Sequence, residues 1–298
     1  MPPVFNSMIL RAPLYVCLRK PLGAVAFRPT AAEQQASLAR IEASVSHVDS
    51  WLVRNKLKLN RGKTELLILS ASHCPRPPID AIQVSSERII SARSARNIGV
   101  ILDQEMSLDE HVTNICKTCF FHLRNIARIR DSLSQKDTEI LVHAFITSKL
   151  DSCNSLLYGL PQFLIDRLQA VQNCAARLIT RSRKHDHITP ILKQLCWLPV
   201  DSRIKYKILL LTFKALHGLA PSYITEMLQP YRPSRSLRSA SKRLLIVPSA
   251  KLRGYGCRSF SFAAPKLWNS LPEPVCHRDD FANFKTALKT HLFREHFN

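Results

Sequence analysis

The sequence predicts an α+β protein that is mostly α, with a small sheet early in the chain, a helical bundle after it, and a basic, mainly helical C-terminal region. Three observations carry this. Short apolar runs of strand length, at Leu66–Leu69 and at 82–84, 88–90 and 97–102, gather before residue 104 with turn residues between them. From Ser107 onward the apolar residues switch to helical spacing. The apolar fraction of 46% is that of a folded chain, and 298 residues suffice for about two compact units.

The elements follow in order. Residues 31–56 are expected to form the first helix, because Leu38, Ile41, Val45, Val48 and Leu52 recur on one stripe that Trp51 and Leu52 close. Asn60, Gly62 and Thr64 turn the chain, and Leu66–Leu69 reads as a buried strand. A Pro-rich turn at 74–78 precedes the remaining strands, and Gly99 lets another backbone or nucleic acid approach closely. Ser107 and Glu110 have the spacing of a capping box, opening a helix that runs to Arg130. Its core stripe is Val112, Ile115, Cys119, Leu123 and Ile126, while Lys117, Arg124 and Arg128 share another face. A row of cations along a helix either tracks a phosphate backbone or simply faces water. Ser134 and Asp137 cap a third helix, with Ile140, Leu141, Ala144 and Phe145 expected inside. Gly159 and Pro161 punctuate the chain, and a fourth helix over 164–181 repeats Leu164, Leu168, Val171, Ala175 and Leu178. Three such helices with short connections make a bundle. Two helices around Trp197 and Pro199 follow, broken at Gly218 and Pro221, and a last helix spans 280–297.

Charge narrows the function. A formal net charge of +21 exceeds what solubility needs and favours polyanionic partners, nucleic acid foremost. No apolar run approaches the ~18 residues of a membrane span, so no membrane partner is expected. Residues 231–258 contain no acid yet hold Arg232, Arg235, Arg238, Lys242, Arg243, Lys251, Arg253 and Arg258, with Tyr231, Tyr255 and then Phe260 interleaved. Cations for phosphate and rings for bases are what an RNA-contacting surface uses. Nine cysteines, an odd number scattered through apolar segments, read as reduced thiols of an intracellular protein, nuclear or cytoplasmic. The first 32 residues are read as a leader without fixed structure. Their Arg11, Arg19, Lys20 and Arg28, with no acid before Glu33, also resemble a mitochondrial transit peptide, against which Pro2, Pro3, Pro13, Pro21 and Pro29 argue.

Several segments carry a family resemblance. LKLNRGKTELLIL at 57–69 resembles the LKLN-x-x-KTE segment that follows the catalytic hairpin in reverse transcriptases of non-LTR (LINE, jockey-like) retrotransposons. NIGV at 97–100 resembles the hairpin that grips the primer end in the same family. SKLDSCNSLLYGLP, LQAVQNCAARLI, CWLPVDSRIKYK, LRSASKRLLIVP and FAAPKLWNSLP are similar to its post-palm region. The resemblance implies a palm remnant over 33–104, a helical thumb over 105–184 and a basic C-terminal domain over 185–298. It implies that Lys63 matches the palm lysine near the nucleotide's phosphates and Asn60 the residue shaping that turn, with Lys58 beside them. The implied partner is RNA or an RNA–DNA hybrid, held without sequence preference.

The departure from the family is equally specific. Family polymerases place Tyr-x-Asp-Asp before the LKLN segment, and their chemistry needs carboxylates holding two Mg²⁺ ions about 4 Å apart. Upstream of 57 stands LYVCLRKPLGAVAF, which has no carboxylate. The chain's one Asp-Asp, Asp279-Asp280, precedes a helix and reads as its cap. The expectation is a truncated reverse transcriptase without polymerase activity and without a cofactor, Mg²⁺ being needed only in a complete enzyme. Two alternatives stand beside it: a fragment completed by a full reverse transcriptase in trans, and a host-adopted interaction or structural protein. Zinc is not expected. Cys116-x-x-Cys119 lies within a helix, and Cys174, His185, His187 and Cys196 match no standard ligand spacing. His217 and His291 read as ordinary helix histidines.

Overall fold

The computed structural model describes residues 14–18, 24–27, 31–60, 64–70, 79–84, 87–231, 243–250 and 256–297. It is mostly helical with two small sheets, and it divides into two compact units: Met1–His111 with Ala250–Gly256, and Val112–Ser249 with Cys257–Asn298.

The first unit is built on β3 (Leu66–Leu69), whose Leu66, Leu67 and Ile68 are all buried, as a strand covered on both faces requires. It pairs in parallel with β5 (Glu87–Ala92), and β5 pairs antiparallel with β4 (Ala81–Val84). Against one face lies α1 (Ala31–Arg54), whose Ile41 and Val45 join Leu66, Ile68, Ile79, Ile82 and Ile89 in a single core cluster. Trp51 is 54% exposed, contrary to the sequence reading. At about 100° per residue it lies well off the stripe of Ile41, Val45, Val48 and Leu52, so only Leu52 continues that stripe. The helix ends at Lys56 in the left-handed region (φ 58), with Leu57 N–H donating to Leu52 O at 2.8 Å.

The leader departs from expectation. β1 (Leu14–Leu18) and β2 (Ala24–Phe27) form an antiparallel pair, and β1 runs antiparallel to β3 with Tyr15 opposite Leu69 and Leu18 opposite Leu66. The order of the sheet is β2-β1-β3-β5-β4. The physical reason is that β3 needs a ladder on both edges, and LYVCL has the β-branched and aromatic content to supply one. A two-stranded hairpin, β6 (Ser94–Asn97) and β7 (Val100–Asp103), completes the unit.

The second unit contains α2 (Asp109–Ile129) from Val112 onward. The Ser107 side chain does not form the expected box. Asp103 accepts from the N–H groups of Glu105, Ser107 and Leu108 at 3.0, 2.8 and 2.7 Å, and Ser107 Oγ accepts from Asp109 N–H at 3.3 Å. Ser134 does cap α3 (Gln135–Val142), accepting from Asp137 N–H at 3.1 Å. A π-helical turn, His143–Thr147, joins α3 to α4 (Ser148–Asp151). α5 (Gln162–Thr180), α6 (Ile188–Gln194), α7 (Val200–Leu216), α8 (Ser222–Thr225), α9 (Phe260–Asn269), α10 (Glu273–Cys276) and α11 (Phe281–Phe297) follow.

Two expectations are corrected here. Thr138, Val142, Ile146 and Leu150 are the buried side chains of α3 to α4, whereas Ile140, Ala144 and Phe145 are exposed and Leu141 half-buried. Spacing of four residues drifts by ~40° per step on an α-helix, and the wider π turn absorbs that drift. The boundary drawn between 184 and 185 separates nothing. Gln172 donates to Leu198 O and Val200 N–H to Gln169 Oε1, both at 2.9 Å, and Arg203 forks onto Asp151. Phe213 of α7 stacks on Phe284 of α11 at 4.3 Å, with Trp268 of α9 beside it. The expected thumb and C-terminal domain thus share one core, because these helices have apolar faces that need one another.

Candidate nucleic-acid interface

α2 positions the clearest cationic feature. Val112, Ile115, Cys116, Cys119, Leu123 and Ile126 are buried, and Lys117, Arg124 and Arg128 are exposed on the opposite side. The three cations fall within roughly 40° of arc at about 100° per residue. From Lys117 to Arg128 they span about 16 Å of axis at 1.5 Å per residue. Between His111 and Arg130 the helix carries no acidic residue, and no carboxylate among the described residues pairs with these three. Phe121 shares their face and is 53% exposed. The sequence reading left it out, although its place one turn after Lys117 follows from helical spacing alone.

A neighbouring cation has a different task. Arg130 is buried, and its guanidinium donates to Leu178 O, Ile179 O and Leu133 O at 3.0, 2.9 and 2.8 Å. Two of these are carbonyls left open by the last turn of α5, so Arg130 is a cap and faces no solvent-borne ligand.

The basic segment 231–258 has a fixed root. Tyr231 N–H donates to Leu244 O at 2.9 Å and Ile246 N–H to Gln229 O at 2.8 Å, around a bridge between Pro230 and Leu245. Asn269 clamps it, accepting from Leu245 N–H and donating to Leu245 O. Arg243 stands at this root, exposed and paired with Asp279 at 3.0 Å, while its carbonyl accepts from Trp268 Nε1 at 2.8 Å. Arg258 is half-buried and packs its stem on Gly159, where an added Cβ would lie 2.8 Å from its Cγ. It differs in this from the solvent-facing cations expected around it. Arg232, Arg235, Arg238, Lys242, Lys251 and Arg253 lie outside the described residues, as does Lys63.

In the first unit, Lys58 and Asn60 are exposed, and Thr64 Oγ1 donates to Asn60 O at 3.2 Å across the turn. The β6–β7 hairpin turns through Ile98 (φ 47) and Gly99 (φ 83), both at positive φ as a type I′ turn demands. A Cβ on Gly99 would meet nothing of the chain within 4 Å, so no close approach by another part of the chain requires the glycine, and its backbone angle does. Ile98 is 88% exposed, a β-branched residue held in the left-handed region at the tip. At the base, His111 is buried, Ile101 N–H donates to its Nδ1 at 3.4 Å, and burial, then Arg96, lower its pKa below 6.5.

The chemistry of the remaining candidates is structural. Asp280 Oδ2 accepts from Asn283 N–H at 2.8 Å, capping α11, so both members of Asp279-Asp280 are engaged by protein groups. Cys116 and Cys119 are buried in the bundle, and burial, then Cys116, push the Cys119 thiol up to about 12. Cys174 and Cys196 are exposed, and no three His, Cys, Asp or Glu side chains converge on a metal-sized site among the described residues. No described helix is long and apolar enough to cross a membrane. No protein-family model, curated protein or solved structure matches the chain.

Proposed function

We propose that the chain is a nucleic-acid-binding module derived from the reverse transcriptase of a non-LTR retrotransposon, holding RNA or RNA–DNA hybrid without sequence preference and not polymerising by itself. The observation that carries the binding is the row Lys117, Arg124 and Arg128, exposed, opposite the core of α2 and paired with no carboxylate among the described residues. Such a row offers phosphates a line of charge without disturbing the fold. The ancestry is supported by the family-like segments from LKLNRGKTE to FAAPKLWNSLP. Lys63 and Asn60 are then vestiges of a palm, and Gly99 with Ile98 the tip of its primer-end hairpin. Arg232, Arg235, Arg238, Lys242, Arg243, Lys251, Arg253 and Arg258 add a second basic segment.

The absence of polymerisation follows from the carboxylates in the sequence. No Tyr-x-Asp-Asp stands before LKLN, and Asp279 and Asp280 are occupied as ion pair and cap. Purified chain given primed RNA, dNTPs and Mg²⁺ binds the template and extends no primer. Extension that survives Asp279→Ala with Asp280→Ala contradicts the reading.

A further inference from the structure

The cationic face of α2 has a ring set into it. Phe121 lies between Lys117 and Arg124 and makes an edge contact with His122, centroids 5.4 Å apart. His122 in turn stacks on Phe145 at 5.0 Å and 25°. Phe145 is 43% exposed because the π turn His143–Thr147 directs Ile146 to the core and leaves Phe145 outside. Turns of this kind gather at functional sites. Lys149, one turn beyond Phe145, is also exposed.

Three contiguous rings, the first of them set in a row of three cations, call for an occupant that is both flat and anionic. A second copy of the chain would bring like-charged rows together, at an electrostatic cost. A nucleic acid duplex satisfies the cations but keeps its base faces stacked on one another. An unpaired strand offers both phosphates and open base faces. We propose that Phe121, His122 and Phe145 form a stacking platform for unpaired nucleobases, so that this surface prefers single-stranded nucleic acid over duplex. The inference rests on the nucleic-acid-binding reading above and specifies its partner.

The test uses the full chain and fluorescence anisotropy at one fixed salt concentration. Three labelled ligands of equal length are compared: an unstructured RNA strand, the corresponding duplex, and the strand with abasic positions. Phe121 and Phe145 are exposed, so alanine at either leaves folding nearly unchanged. Wild type binds the intact strand most tightly. Phe121→Ala and Phe145→Ala each lower that affinity about tenfold and leave the duplex and abasic ligands unaffected. If both variants bind all three ligands as wild type does, while alanine at Lys117, Arg124 and Arg128 weakens all three, the platform is refuted and the phosphate-binding row stands. If the triple cation variant also changes nothing, the underlying reading fails. A chain that sediments as a dimer and becomes monomeric on Phe121→Ala refutes the platform in favour of a copy-to-copy interface.

Discussion

Two buried polar residues show how differently single side chains serve this fold. Arg130 is a cation spent on structure, since its planar fork reaches three carbonyls at the junction of α2 and α5. Arg130→Met fills the volume but leaves those acceptors without a donor, and it is expected to cost about 2–4 kcal/mol. Arg130→Lys recovers less than half of that, because a single ammonium cannot donate along the same fork. Urea midpoints with unchanged slopes check both values. His111 is a titrating residue instead. Its folded-state pKa is depressed below 6.5, first by burial and then by Arg96, while Ile101 N–H needs an unprotonated Nδ1. The folded protein therefore binds this proton less readily than the unfolded one. The stability it contributes is full above pH 6.5 and is lost as pH falls through the depressed folded value. His111→Asn keeps an acceptor and does not titrate, so the wild-type midpoint should fall more steeply between neutral and mildly acidic pH than that of the variant.

At the scale of elements, the β6–β7 hairpin couples strain to exposure. Ile98 occupies a position that Asn fills without penalty, so Ile98→Asn is expected to raise stability by about 1 kcal/mol. If the tip grips nucleic acid, the same variant binds RNA more weakly, and thermal melts with binding isotherms on one preparation measure both effects. A variant that gains stability and loses no affinity removes the hairpin from the interface. The elements that could be read in the sequence are those with one consistent apolar stripe. β3, α2 and α5 belong here, as does the cap of α3 by Ser134, whose hydroxyl accepts from Asp137 N–H and donates to the Asp137 carboxylate. The inner face of α3 could not be read, because Ile140, Leu141, Val142, Phe145 and Ile146 ring the helix and only the π turn decides which face is core. The ends of α1 and α5 were legible to within two residues, at 56 and 181, although no glycine marks them. Lys56, Arg181 and Cys196 fill left-handed positions that usually announce themselves as glycine, as Gly218 does. Of the candidate interface, the cations were legible from spacing and the absence of acids. Phe121 follows from the same spacing, one turn after Lys117, whereas Phe145 was not legible, since an aromatic residue on an amphipathic helix is ordinarily core.

For the whole molecule, the excess positive charge is unevenly committed. Arg130 and Arg203 serve the fold, and Arg243 is neutralised by Asp279. Lys117, Arg124 and Arg128 remain open to a polyanion. If phosphate contacts drive association, the binding constant falls steeply with salt as counterions are released. The most direct measurement is RNA affinity across a salt series for wild type, for the α2 variant with alanine at Lys117, Arg124 and Arg128, and for a second variant with alanine at Arg235, Arg238 and Lys242. At about 0.7 units per contact on a single strand, loss of the α2 row should flatten the log–log slope by about 2 units. The C-terminal variant should flatten it further by a similar rule. Slopes that coincide across all three proteins, or a wild-type affinity that ignores salt, contradict the account.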